Sequence, residues 1–91
     1  MTELKLYRLI TENDSCEELG WESDGNFYVW ISYYWLNIFI EELVNLFGEG
    51  IFDDGSFNAN IRRGSVCINL CECLEGYVDL EEIFPKDEYQ H

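Results

Sequence analysis

The chain has 91 residues, 47% of them hydrophobic and 16% aromatic, and sets 19 acids against five bases for a formal net charge of −14. That length specifies one small domain, and the aromatic content excludes a disordered acidic tail. The charge excludes nucleic acid as a direct ligand: Lys5, Arg8, Arg62, Arg63 and Lys86 are too few and too scattered to displace counterions from phosphates. Anionic membrane surfaces are excluded on the same ground. What remains is a basic protein partner, a bound cation, or charge that serves solubility alone.

The first residues, MTELKLYRLITEND, have no basic region leading a long apolar run, so they do not read as a signal peptide. A cytoplasmic location is expected, with the four cysteines reduced. Residues 3–11 read as a strand, Leu4, Leu6 and Ile10 on one parity and Tyr7 and Leu9 on the other. A short helix stays open there because both faces are apolar. Ser15-Cys16-Glu17-Glu18 fits a capping box and predicts a single helical turn before Gly20. Trp21-Glu22 and Asn26-Phe27 then flank Ser23-Asp24-Gly25, and Asp-Gly predicts a hairpin pairing 20–22 with 26–32.

The longest apolar stretch, Asn26 to Phe47, changes period within itself. Phe27, Val29 and Ile31 alternate with Tyr28, Trp30 and Ser32, as in a strand. With Ser32 as N-cap, the spacing Leu36, Ile40, Leu43, Phe47, with Phe39 and Val44 beside it, becomes helical and closes at Gly48. Ser32, Asn37, Glu41 and Glu42 interrupt the stretch too often for a membrane span. At 100° per residue Tyr34 and Ile38 fall opposite the buried face, among Glu41, Glu42 and Asn45, with Trp35 on the flank. Either a second layer covers them, such as strand 3–11, or they form an exposed contact surface.

Beyond Gly48-Glu49-Gly50, Asp53-Asp54-Gly55-Ser56 signals another turn. Strands 57–62 and 65–73 pair in one self-consistent register: Ile61, Ala59 and Phe57 face Val66, Ile68 and Leu70, while Arg62, Asn60 and Asn58 face Ser65, Cys67 and Asn69. Gly76 ends that strand, Asp79 to Phe84 predicts a short helix before Pro85, and residues 86–91 are expected to fray. The fold class is α+β, one domain over 1–91: an antiparallel sheet of about four to five strands backed by a main helix near 33–47, with a short C-terminal helix.

No catalytic constellation emerges, since the sole histidine is His91 and adjacent acids at turns read as caps or solvated faces. An enzyme and a cofactor are therefore not expected. Cys67, Cys71 and Cys73 would share one face of an extended strand, spread over about 20 Å by strand rise. That spacing favours small buried hydrophobes over a metal centre. The acids gather in three stretches: 12–24, 49–54 and 72–82. If the turns at 12–24 and 49–55 lie at one sheet edge, they form a broad negative face able to imitate a nucleic-acid backbone. The candidate partner-binding residues are Glu17, Glu18, Asp24, Tyr34, Trp35, Ile38, Glu41, Asp53 and Asp54.

In size, charge and aromatic content the chain resembles the small acidic inhibitors of bacteriophages and bacteria, such as anti-CRISPR and anti-restriction proteins and toxin-immunity proteins. The resemblance implies an inhibitor that blocks the nucleic-acid site of a basic nuclease or nucleoprotein complex; no motif of a particular family is present, so it assigns no residue roles. The alternatives are an immunity protein neutralising a nuclease toxin, a homo-oligomer joined through Tyr34 and Ile38, and a metal module built on Cys67, Cys71 and Cys73.

Overall fold

The computed structural model describes residues 2–12, 16–52, 60–62 and 64–90, with residues 60–62 described by their backbone. In chain order the elements are α1 (Thr2–Thr11), β1 (Cys16–Trp21), β2 (Phe27–Ser32), α2 (Leu36–Phe47), a 3-10 turn (Glu49–Phe52), β3 (Asn60–Arg62), β4 (Ser65–Asn69), α3 (Leu70–Leu74) and α4 (Leu80–Ile83). The strands form one antiparallel sheet in the order β1-β2-β4-β3. The class is α+β. Three strands of five or six residues make the body of the sheet, with β3 a three-residue edge. The three-strand body falls short of the expected four to five strands, because the N-terminal segment is not part of the sheet.

Residues 3–11 form α1, and the strand reading is corrected. From Glu3 to Leu9 the chain has no β-branched residue and is rich in good helix formers. The buried set is Leu6, Leu9 and Ile10, the i, i+3, i+4 spacing of a helix face, while Leu4 is exposed. Arg8 Nε lies 3.9 Å from Glu12 Oε1 on the solvent side.

The helical turn expected after Gly-distant Ser15 is also corrected: residues 16–21 are strand. Glu18, Leu19, Gly20 and Trp21 pair with Trp30, Val29, Tyr28 and Phe27, so the hairpin extends well past 20–22, with a bulge between Cys16 and Glu18. Cross-strand pairing outweighs a local capping pattern here, and Ser15 itself lies outside the described residues. The Asp-Gly turn forms as expected. Glu22 N–H donates to the Asn26 carbonyl at 2.9 Å, and Gly25 takes φ +85°, where a side chain would be strained.

In the β3–β4 hairpin, Asn60 pairs with Cys67, Ile61 with Val66 and Arg62 with Ser65, the register derived from the sequence. The pairs expected for residues 57–59 lie outside the described residues. The second strand is shorter than predicted. Asn69 is the last residue of β4, still paired with Tyr28, and its side-chain Oδ1 accepts the Glu72 N–H at 3.3 Å, which starts α3. Leu70, Cys73 and Leu74 then bury one helical face.

One sheet face carries the core. Phe27, Val29 and Ile31 alternate with half-buried Tyr28, Trp30 and Ser32 along β2, and Val29 and Ile31 pair with Ile68 and Val66. α1 contributes Leu6 and Ile10, and α2 contributes Phe39 and Leu43. Burying each such side chain contributes about 1.5–3 kcal/mol. At the turn end of the sheet Phe84 stacks on Phe27 at 4.8 Å and on Tyr7 at 5.7 Å, and Tyr89 meets its edge at 5.2 Å. Residues 86–90 therefore do not fray as expected: Trp21 N–H donates to the Tyr89 carbonyl at 2.7 Å, and Gln90 bridges to Trp21 in parallel. They cover the edge of β1.

The Trp21 indole Nε1–H donates to the Phe84 carbonyl oxygen at 2.7 Å within the buried interior. Trp21→Phe keeps the ring packing but leaves that carbonyl without its donor, which costs about 1–3 kcal/mol. Urea denaturation is expected to show a lower midpoint with an unchanged slope.

Candidate partner-binding surfaces

An acid-lined cleft and a cluster of exposed aromatics lie at opposite ends of β2. Six residues of strand separate these ends by about 20 Å.

At the turn end is a cleft of about 370 Å³ between the β1–β2 turn, α3 and α4. Trp21, Leu74 and Leu80 give it apolar walls, and Glu72, Glu75, Asp79 and Glu81 line it with carboxylates. Local folding explains why they converge. Asn69 starts α3 and so turns Glu72 toward the cleft. Asp79 caps α4, its Oδ1 accepting the Glu81 N–H at 3.1 Å. Lys86 is the cation met here: its Nζ lies 3.2 Å from Glu81 Oε1 and 5.0 Å from the centre of the Trp21 ring. Both members of that ion pair are about half exposed, so its contribution to stability is small.

The turn beside the cleft holds Asp24. Its Oδ2 accepts the Tyr28 hydroxyl at 2.6 Å and its Oδ1 the Asn26 N–H at 3.0 Å. The Tyr28 hydroxyl, and after it the Asn26 N–H, hold the Asp24 carboxyl below its ordinary range. The same hydrogen bond, helped by burial, pushes Tyr28 up to about 12. Asp24 is thus a structural acid of the turn.

At the other end Ser32 organises a tight turn into α2. Its Oγ accepts the Tyr34 N–H at 3.3 Å and its carbonyl the Trp35 N–H at 3.0 Å. Ser32 is therefore not the N-cap: Trp35 takes that position without a side-chain cap bond. The turn leaves Tyr34 91% exposed, with Tyr33 at 50%, Trp35 at 42% and Ile38 at 49%. No described layer covers them, so of the two readings of Tyr34 and Ile38 the structure selects exposure. Four of the six exposed large hydrophobics among the described residues thus fall within residues 33–38. Such concentration differs from apolar exposure scattered singly. Glu41 and Glu42 follow Ile38 at i+3 and i+4, on the same side of the helix and exposed.

Of the residues singled out from the sequence, the fold therefore brings Tyr34, Trp35, Ile38 and Glu41 together. Glu17 and Glu18 lie at the same end of the sheet, because Cys16 pairs with Ile31 and Glu18 with Trp30. Asp24 lies at the other end, and Asp53 and Asp54 lie outside the described residues. Sequence reasoning missed Tyr33, which it assigned to the helix start. It also missed the cleft acids as a site: reading 65–73 as one strand conceals the Asn69 cap that brings Glu72 beside Glu75 and Asp79.

The cysteines do not share a face. Cys67 is buried on β4, while Cys71 and Cys73 are two apart on α3 and point to opposite sides of the helix. Cys73 enters the core; Cys71 lines the cleft, where its Sγ accepts the Phe27 N–H at 3.3 Å. Burial raises the Cys71 thiol above its ordinary value, which lowers its reactivity. Among the described residues no group of three or more His, Cys, Asp or Glu is arranged to hold a metal ion, and no helix is long and apolar enough to cross a membrane.

The pairing of Asp24 with Tyr28 has a pH signature. Because the bond favours the neutral phenol, Tyr28's contribution is complete below its ordinary value of 10 and is lost as pH rises through about 12. The Asp24 contribution is present above its ordinary value and fades as pH falls through the depressed one. In Asp24→Asn, the Tyr28 ring resonance followed by NMR is expected to titrate closer to 10 than in the parent; an unchanged midpoint would assign the shift to burial instead. No known protein family matches the chain, and no curated protein or solved structure is significantly similar to it.

Proposed function

We propose that the chain is a non-enzymatic acidic binding protein that seats on a basic, nucleic-acid-handling protein and blocks its nucleic-acid site, in the manner of anti-CRISPR and anti-restriction inhibitors. One observation carries the reading: Glu72, Glu75, Asp79 and Glu81 converge on a single cleft beside the acidic 22–24 turn. Carboxylates gathered in one cleft add a local negative field to the net −14 of the chain, which steers encounter with a cationic surface and raises the association rate. Once seated, the carboxylates take positions that phosphates would otherwise hold, and the body of the domain excludes the strand.

The homo-oligomer alternative fares worse on the same physics, because each copy brings a net charge of −14 to the contact. A metal module built on Cys67, Cys71 and Cys73 has no support in an arrangement that spreads them over the sheet, the cleft and the core.

The test begins with tagged protein as bait at low ionic strength, with recovered proteins identified by mass spectrometry. The retained partner is expected to be basic, to elute as salt rises, and to lose nucleic-acid binding when the chain is added. Glu72→Gln combined with Glu75→Gln is expected to slow association with that partner several-fold at low salt, with little effect at high salt. Retention that is indifferent to ionic strength, or a partner that still holds its nucleic acid when saturated, would remove the reading.

A further inference from the structure

The aromatic corner at the start of α2 is a second surface, about 20 Å from the cleft by strand rise, and the electrostatic reading does not use it. From its geometry we infer that the corner is the docking site for arginine side chains on the surface of a basic protein partner. The inference rests on the proposed function for the partner's charge and goes beyond it in naming the contact.

Two observations select that occupant. The corner presents three aromatic rings, Tyr33, Tyr34 and Trp35, with Ile38 beside them, all exposed. Aromatic faces carry negative potential and attract a cation stacked over them. Arginine suits them better than lysine, because its planar, weakly hydrated guanidinium lies flat on a ring while its remaining N–H groups reach nearby carboxylates. The carboxylates are supplied within one helical turn, where Glu41 and Glu42 follow Ile38 on the exposed side of α2.

Charge also rules on the other occupants. From residue 9 to residue 61 the chain contains no Lys or Arg, so α2 and the strand leading into it carry no cation. A second copy would bring −14 to the contact, and an anionic lipid surface would be repelled. The carbonyl of Gly64, which follows Arg62 and Arg63 in the sequence, accepts the Tyr33 N–H at 3.1 Å. Exposed aromatic rings also stack nucleic-acid bases, so an oligonucleotide must be one arm of the test.

The three tryptophans make the test site-resolved, since Trp21 lines the cleft, Trp30 lies mid-strand on the sheet and Trp35 marks the corner. Their indole N–H resonances, assigned by single Trp→Phe substitutions, are followed by NMR during titration with oligoarginine, oligolysine and a single-stranded oligonucleotide. Oligoarginine is expected to shift Trp35, with a weaker effect from oligolysine and none from the oligonucleotide. Tyr34→Ala is expected to weaken oligoarginine binding at Trp35 by about fivefold while leaving any Trp21 response unchanged. Tyr34 is almost wholly exposed, so this variant keeps the fold.

Oligoarginine that shifts Trp21 alone would overturn the corner while leaving the electrostatic reading in place. Silence at all three indoles would remove both. A Trp35 shift caused by the oligonucleotide, or by raising protein concentration without any peptide, would assign the corner to nucleic acid or to a second copy and overturn the inference.

Discussion

The fold depends on the join between Trp21 and the segment around Phe84. A 91-residue chain carrying a net −14 has little core to spare, and self-repulsion works against compactness. Here the last residue of β1 is held three ways. Its indole N–H donates to the Phe84 carbonyl, its backbone N–H to the Tyr89 carbonyl, and its ring packs on Phe27 at 5.2 Å. Phe84 in turn stacks between Phe27 and Tyr7, so one ring ties sheet, α1 and C-terminal segment together. The same join builds the cleft, because Trp21 is its wall and α4, ending just before Phe84, supplies Glu81 and is capped by Asp79. Stability and the negative pocket thus have a common origin.

That origin bears on how the nineteen acids should be counted. Some of them fold the chain: Asp24 closes the hairpin through Tyr28 and Asn26, and Asp79 caps α4. Their charge still contributes to the field, but their oxygens already accept hydrogen bonds and would give up those bonds to reach a partner. The glutamates of α3 and α2 are different, being long, exposed side chains on helical surfaces. A binding argument built on net charge alone would weigh all of them equally.

Much of the fold was legible because two of its devices are local. The Asp24-Gly25 turn and the 60–62 with 65–67 register follow from residues that meet within one hairpin. The change from strand to helix inside 26–47 follows from a change of period. What failed was non-local. Residues 3–11 were apolar on both parities, so alternation could not separate strand from helix, and only packing against α2 and α4 decides. Ser15-Cys16-Glu17-Glu18 carried a helical signal that pairing with β2 overrode. The end of β4 is concealed because Asn69 serves twice, as the last paired strand residue and as the cap of α3.

The same division explains the candidate site. Tyr34, Trp35, Ile38 and Glu41 were found together because they are neighbours on one turn and one helix, where angular position follows from spacing. Asp24 was grouped with Glu17 and Glu18 because they are close in sequence, yet an antiparallel hairpin carries its turn and its open end to opposite ends of the sheet. In a strand, proximity along the chain becomes distance at 3.2–3.4 Å per residue; in a helix, residues three and four apart become neighbours. An acid cluster read from a linear stretch therefore holds as a surface only if the stretch is helical or wholly within a turn. Residues 72–82 meet that condition, since α3, its following turn and α4 fold back around one cleft. The acids of β1 and the following turn do not, since Glu17 and Glu18 lie at one end of the hairpin and Asp24 at the other.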